Sequence, residues 1–213
     1  EPIAYILGKK DFWKKSFFIN RSVLIPRPDT EIIIEQVLKL NRVKSNIRIL
    51  DIGTGSGCII LSLLNEVKEF YGTGIDISKE CIKTSKYNSK VLNLNNRASF
   101  FVSDIDKFIL GKYDIIISNP PYIESHKIKY LERDIGIFEP VLALDGGPDG
   151  LEKIIKVINK SLNLLKNSGK LVLEIGFNQK QRVITILKKK GFYINKVVKD
   201  YGNNYRCVIC TKI

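Results

Sequence analysis

Ile47-Arg48-Ile49-Leu50-Asp51-Ile52-Gly53-Thr54-Gly55-Ser56-Gly57 is the stretch whose reading decides the fold. Its first four residues read as the first strand of the main domain. Three glycines at alternate positions follow, and they allow a tight turn and the close approach of a ligand to bare backbone. The apolar run from Cys58 to Leu64 reads as the next helix, whose first N–H groups face the same ligand. The spacing is Gly-x-Gly-x-Gly, not the Gly-x-Gly-x-x-Gly of dinucleotide binders. Asp51, just ahead of the turn, would repel a pyrophosphate but suits a cationic or hydroxyl-rich ligand. The candidate ligand-binding turn is therefore Gly53, Thr54, Gly55, Ser56 and Gly57.

Outward from this unit the chain repeats the alternation of strand and helix. A strand from Tyr71 to Ile75 ends at Asp76, about 20 residues beyond the glycines, where an acid can accept both hydroxyls of a ribose. Asp76 can also cap the helix that starts near Ser78, but the paired spacing favours the ribose. A helix through about Lys90 leads to a third strand, Ala98 to Val102, ending at Ser103-Asp104-Ile105. There an acid and an apolar neighbour either meet an adenine or simply begin a helix. A fourth strand, Lys112 to Ser118, delivers Asn119-Pro120-Pro121-Tyr122. The prolines forbid both continuation of the strand and a helix starting at Asn119, so the chain leaves the sheet in a stiff extended turn. Open α/β sheets bind ligands at this end of their strands. Asn119 offers an amide oxygen and two N–H donors, and Tyr122 a flat wall, so the loop can hold a planar amide or amino nitrogen towards an electrophile. A proline-rich turn with a tyrosine lid is the plainer alternative.

Residues 124–150 have no clear period and read as an ordered loop over the site, with turn signals at Phe138-Glu139-Pro140 and Gly146-Gly147-Pro148-Asp149-Gly150. Helices over about 151–165 and 179–190 alternate with strands over 170–175, 192–198 and 205–211. Short spacing between the last two strands predicts a hairpin and an antiparallel edge strand. The fold class is α/β, with a doubly wound, mostly parallel, seven-stranded, Rossmann-like sheet. At the other end, residues 1–28 read as a β-hairpin arm and linker, with residues 29–213 as the main domain. Ile25-Pro26-Arg27-Pro28-Asp29-Thr30-Glu31 is a stiff lead into a helix striped by Ile33, Val37 and Leu40, which Asp29 or Thr30 can cap. Arg27 and Thr30 either line a pocket or serve only this helix start.

The 213 residues suffice for a sizeable core. The net charge of +13 comes mostly from lysines spread along the chain, which describes a solvated surface, so direct nucleic-acid binding is not expected. Four cysteines are too few for a disulfide framework at this size. Cys207 and Cys210 have metal-site spacing, but they lie in a strand, where positions three apart face opposite sides. No metal is expected, and the single histidine, His126, falls in a loop. No apolar run reaches a membrane span and no signal peptide opens the chain, so the expectation is a soluble, cytoplasmic protein. The chain begins at Glu1 and contains no methionine, which suggests that a segment precedes it.

Taken together, Asp51 to Gly57, Asp76 and Asn119 to Tyr122 resemble class I S-adenosylmethionine-dependent methyltransferases that modify a planar nitrogen. Ile25 to Glu31, Phe138 to Pro140, Gly146 to Leu151 and Asp200-Tyr201-Gly202-Asn203-Asn204 narrow the likeness to the peptide chain release factor N5-glutamine methyltransferase family. The resemblance covers essentially the whole chain, from Glu1-Pro2-Ile3-Ala4 onward. It implies S-adenosylmethionine as cofactor, held by Gly53 through Gly57, Asp76, Ile105 and Asn119, with Asp104 at the adenine. It implies the glutamine of a release factor's Gly-Gly-Gln loop as substrate, held by Asn119, Pro120, Pro121 and Tyr122, with Asn119, Pro120 and Tyr122 carrying the catalysis. There are two departures. The family's small helical N-terminal domain is absent, and the tryptophan that family members often carry after the acid of the third strand is Ile105 here.

Three other readings compete. An adenine N6-methyltransferase acting on DNA or RNA would use the same tetrapeptide and draws on the positive charge, but no separate base-recognition domain is evident. A ribosomal-protein glutamine methyltransferase usually alters the Pro26-to-Glu31 stretch, which is intact here. A catalytically silent nucleic-acid-binding module is disfavoured by the intact Asp76 and Asn119.

Overall fold

The computed structural model describes residues 1–40 and 46–213. The chain opens with a short helix α1 (Ile3–Leu7) and a hairpin of β1 (Lys9–Phe12) and β2 (Lys15–Phe18). The sequence predicts the hairpin but not α1. Five residues are too few to show a helical period, and what ends the turn is Gly8 in the left-handed region, its N–H donating back to Ala4 and Tyr5 carbonyls. Then come α2 (Glu31–Leu40), β3 (Ile47–Ile52), α3 (Cys58–Glu66), β4 (Phe70–Asp76), α4 (Lys79–Val91), β5 (Ala98–Val102) and β6 (Tyr113–Ser118). They are followed by α5 (Arg133–Phe138), α6 (Glu152–Leu164), β7 (Leu165–Glu174), α7 (Lys180–Lys189), β8 (Phe192–Lys199) and β9 (Tyr205–Lys212).

Seven strands form one sheet in the order β5-β4-β3-β6-β7-β9-β8. All neighbours up to β7 are parallel, and the expected antiparallel pairing falls at the β8 edge, where β9 is inserted between β7 and β8 and runs against both. Strand β7 starts earlier than the sequence predicts because Leu165 already pairs with Tyr113 across a register shift.

The two faces of the sheet are both apolar, as a mostly parallel sheet requires. On one side Ile49, Ile117 and Val172 pack under Ile33 and Val37 of α2, Ile60 and Leu64 of α3 and Ile82 of α4. On the other, Leu50, Ile116 and Leu173 pack under Ile154 and Ile158 of α6 and Leu187 of α7. Each such side chain taken wholly out of water stabilises the fold by about 1.5–3 kcal/mol. Cys207 belongs to the first layer and Cys210 to the second, and both are buried free thiols on opposite faces of β9.

The N-terminal arm is pinned to the sheet domain. Phe12 and Phe17 enter the first layer, the Trp13 N–H donates to Glu31 Oε1 at 2.7 Å, and the Trp13 indole donates to Glu66 Oε1 at 2.9 Å. Residues 124–150 are ordered but hold more helix than expected: a 3-10 turn at Ser125–Tyr130, α5, and a second 3-10 turn at Val141–Ala143. None of these buries a residue of its own, so no apolar period marks them. Backbone bonds fix the segment instead, from Ile123 N to Leu144 O at 3.1 Å and from Gly146 N to Ile123 O at 2.8 Å. At Gly146 a side chain is excluded, since a Cβ would lie 2.8 Å from Tyr122 Cα. Among the described residues no helix is long and apolar enough to cross a membrane.

Candidate active site

The chain crosses from β3 to β4 and β5 on one side of the sheet, then restarts at β6 on the other. The crevice outside the carboxyl ends of β3 and β6 is therefore the switch point where open α/β sheets take their ligands. Register aligns what protrudes there. Ile52 pairs with Ile75 and with Ser118, so Gly53, Asp76 and Asn119 come next in register at the carboxyl ends of three adjacent strands.

The glycine turn is held from behind. Gly53 and Thr54 N–H donate to Ile75 O at 2.9 and 3.0 Å. Gly53 and Gly55 take φ of 75° and 55°, and nothing lies within 4 Å of where their Cβ atoms would be, so the missing side chains open the space above the turn. Asp76 faces that space. Its Oδ2 accepts from Gly55 N at 3.0 Å and its Oδ1 from Ser78 N at 2.9 Å, leaving a lone pair on each oxygen for a ligand. Burial raises its pKa against the pull of these two N–H groups. Ser78, not Asp76, caps α4 by accepting from Cys81 N. Asp51 behaves differently from its sequence reading. It is fully buried beneath the turn, with Oδ2 accepting from Thr54 Oγ1 at 2.7 Å and Oδ1 unpartnered, and burial pushes its pKa up to about 7.

A cavity of about 520 Å³ lies over this turn, lined by Gly53, Gly55, Asp76, Asp104, Ile105 and Asn119 among others. Asp104 starts no helix, its Oδ1 accepting from Asp106 N at 2.7 Å in a local turn. A second cavity of about 190 Å³ adjoins the first, with Arg27, Tyr122 and Glu174 in its wall. Asn119, Pro120 and Pro121 line both cavities and form the partition between them. Thr54, Ser56 and Gly57 lie off the cavity walls. Thr54 is tied to Asp51, the Ser56 carbonyl accepts from Asn88 Nδ2 at 2.9 Å, and Gly57 precedes α3 in the left-handed region.

Thr30 stands behind the partition, 3% exposed, and its hydroxyl accepts from Asn119 Nδ2 at 3.1 Å. Its side chain thus orients Asn119 and does not cap α2. With Nδ2 engaged, Oδ1 is the free end of the amide. Arg27 pairs with Glu139, whose other oxygen accepts from Ile25 N at 3.4 Å, joining the Pro-Arg-Pro lead to the segment over the site. The Tyr122 hydroxyl lies 3.4 Å from both Glu174 Oε1 and Arg206 Nη1, and its pKa is raised, chiefly by burial.

Several residues that shape the site carry no signal of their own in the sequence. Glu139 reads as part of a turn and proves to be buried and paired with Arg27. Gln179 reads as a helix start, yet its Nε2 donates to Tyr122 O at 3.0 Å and Gly150 O at 2.9 Å while its Oε1 accepts from Gly176 N at 2.9 Å. Arg206 lies at the start of β9, where its Nε donates to Asp200 Oδ2 at 3.0 Å. Glu174, the last residue of β7, is 1% exposed. Only Glu174, a polar residue closing the apolar run Leu171-Val172-Leu173, stands out in the sequence, and tertiary contacts alone interpret it. His126 is exposed, beside Glu124. Among the described residues no group of three His, Cys, Asp or Glu side chains is arranged to hold a metal ion.

This sheet, with its glycine turn, its acid after the second of the adjacent strands and its Asn-Pro-Pro-Tyr loop, defines a class I methyltransferase. The family description "Methyltransferase small domain" matches residues 29–135. A crystal structure of a methyltransferase from Pyrococcus furiosus superimposes with a TM-score of 0.68 at 20% identity, over 92% of this chain and 88% of that one. A release factor glutamine methyltransferase from Buchnera aphidicola subsp. Schizaphis graminum is 44% identical over 97% of this chain and 74% of its own length. One from Caulobacter vibrioides is 39% identical over the whole chain and 74% of its own length. The chain belongs to the release factor glutamine methyltransferase family.

Proposed function

We propose that the chain transfers a methyl group from S-adenosylmethionine to the side-chain amide nitrogen, N5, of the glutamine in the Gly-Gly-Gln loop of peptide chain release factors, and that it does so in the cytoplasm without a metal. The observation that carries this reading is the shared partition. Asn119, Pro120 and Pro121 line both the larger cavity over the glycine turn and the smaller cavity with Tyr122.

The larger cavity fits the cofactor by its donor set. Asp76 retains acceptor capacity for two ribose hydroxyls, the open ground above Gly53 and Gly55 admits a ligand against bare backbone, and Asp104 with Ile105 suits an adenine's amino group and face. When bound, S-adenosylmethionine supplies an electrophilic methyl on a sulfonium centre. The chain has to present the nucleophile. An amide nitrogen is a poor one, because its lone pair is delocalised into the carbonyl. Asn119 Oδ1, left free by the bond from Nδ2 to Thr30, and the Pro120 carbonyl, which no ladder partner consumes, accept the two amide N–H groups and fix the nitrogen in the partition. Positioning of this kind supplies up to about 7 kcal/mol or more of a barrier in ideal cases. The Tyr122 ring, tethered at its hydroxyl, gives the amide plane a wall.

The test is binding followed by transfer. Calorimetry should find one saturable S-adenosylmethionine site, lost on filling the glycine turn by Gly55→Val, and labelled donor should then modify purified release factor. A wild-type chain without a saturable cofactor site would refute the reading.

A further inference from the structure

Glu174 is a carboxyl group of the smaller cavity whose chemistry the mechanism above leaves unused. Ser118 pairs with Leu173, so Asn119 and Glu174 are the next residues off two adjacent strands and stand side by side at the carboxyl ends of β6 and β7. Glu174 lines the cavity with Asn119 and Pro120 and is 1% exposed. Its Oε1 has the Tyr122 hydroxyl at 3.4 Å, while its Oε2 is buried without a hydrogen-bond partner. An unpaired buried acceptor is costly unless something completes it. The groups facing it do not do so fully: Arg206 and Thr30 favour the charged carboxylate, Asp29 opposes it, and burial outweighs them all and sets the pKa at about 7. Arg27, the other charged group of the cavity wall, is engaged by Glu139.

Above about pH 7, where Glu174 is ionised, the polar atoms offered to the cavity by Asn119, Pro120 and Glu174 are acceptors. A neutral carboxamide meets them with N–H donors. A carboxylate of the same size brings only lone pairs and a second negative charge. We propose that Glu174 determines specificity at this site, its carboxylate standing beside the two acceptors that hold the substrate's NH2 group and turning away glutamate at the same position. The inference rests on the reading that the smaller cavity receives a glutamine side chain, and it adds the group that tells glutamine from its acid.

The experiment compares two ligands on two proteins, with binding as the readout. At pH 8, where Glu174 is ionised, full-length release factor and its form with the target glutamine replaced by glutamate are titrated into the wild-type chain and into Glu174→Gln, which removes the charge at constant shape. The wild type should prefer the glutamine form by at least about tenfold, since like charges brought together at an interface cost several kcal/mol. In E174Q that ratio should fall to within about threefold of one. The ratio of two dissociation constants on one preparation does not depend on the fraction folded, so a merely structural role for Glu174 would leave it unmoved. An unchanged ratio in E174Q, or no preference in the wild type, overturns the role of Glu174 alone. A wild type that binds neither form overturns the release factor reading and this inference with it.

Discussion

Thr30→Val removes the hydroxyl that accepts from Asn119 Nδ2 and also favours the Glu174 carboxylate. Thr30 is 3% exposed and valine has the same shape, so a methyl replaces the hydroxyl without opening a void. Its loss removes the acceptor of Asn119 Nδ2, now 3.1 Å away, and frees the amide to turn its donor end towards the cavities. Leaving a partly buried donor without its partner costs about 1–3 kcal/mol. If that energy is what holds Oδ1 in place for the substrate, turnover should fall by about five- to 150-fold, at 1.36 kcal/mol per factor of ten. The same loss would shift the melting temperature by only about 2–12 °C in a chain of this size. Steady-state methyl transfer to release factor reads the first quantity and thermal melting the second, while calorimetry should show cofactor affinity within about twofold of wild type, because Thr30 does not line the larger cavity. A folded T30V chain with wild-type turnover would refute the orienting role of Thr30 and the free-acceptor geometry of Asn119.

Asp76→Ala should weaken S-adenosylmethionine binding by about 2–4 kcal/mol, since it removes the acceptor of both ribose hydroxyls and the anchor of Gly55 N–H; unchanged affinity by calorimetry would take Asp76 out of the site. Asn119→Ala should spare the fold yet slow single-turnover transfer by roughly 10²–10³, the scale for one well-placed polar group, and a wild-type rate would contradict positioning by this residue. Asp51 gives a pH signature. Burial raises its pKa from 3.8 to about 7, so the folded chain holds a proton that the unfolded chain has already released between those values. Its contribution to stability is thus present in full below pH 3.8 and is lost as pH rises through about 7. Asp51→Asn, which keeps an acceptor for Thr54, should gain stability relative to wild type across that interval, by on the order of 4 kcal/mol at pH 8. Urea unfolding of both proteins at pH 4 and pH 8 checks it, with a gap that does not widen as the contrary result.

The strands that carry the site were legible where a short apolar run is closed by a residue that cannot continue it, as in Ile115-Ile116-Ile117-Ser118 before Asn119-Pro120. The glycine turn, Asp76 and the tetrapeptide follow directly, since a strand end fixes which residue protrudes. What was not legible depends on pairs far apart in the chain. Glu139 meets Arg27 across 112 residues and Asn119 meets Thr30 across 89, and neither partner shows a pattern of its own. Asp51 illustrates the same limit. Being one residue inside a strand end is the difference between lining the cavity and lying beneath its floor, and the local sequence does not set that boundary. Helix α1 and the turns of residues 124–150 escaped because each is shorter than the window in which a 3.6-residue period can be seen.

The most direct test of the account is to find where the methyl goes. Purified release factor, free glutamine, tRNA and DNA are offered side by side with labelled methyl donor, and the label is located by mass spectrometry. The account predicts one methyl on the side-chain nitrogen of the Gly-Gly-Gln glutamine. Free glutamine should be nearly unmodified, because it lacks the remote contacts whose binding energy drives positioning. Label on an adenine, with none on the release factor, would contradict it.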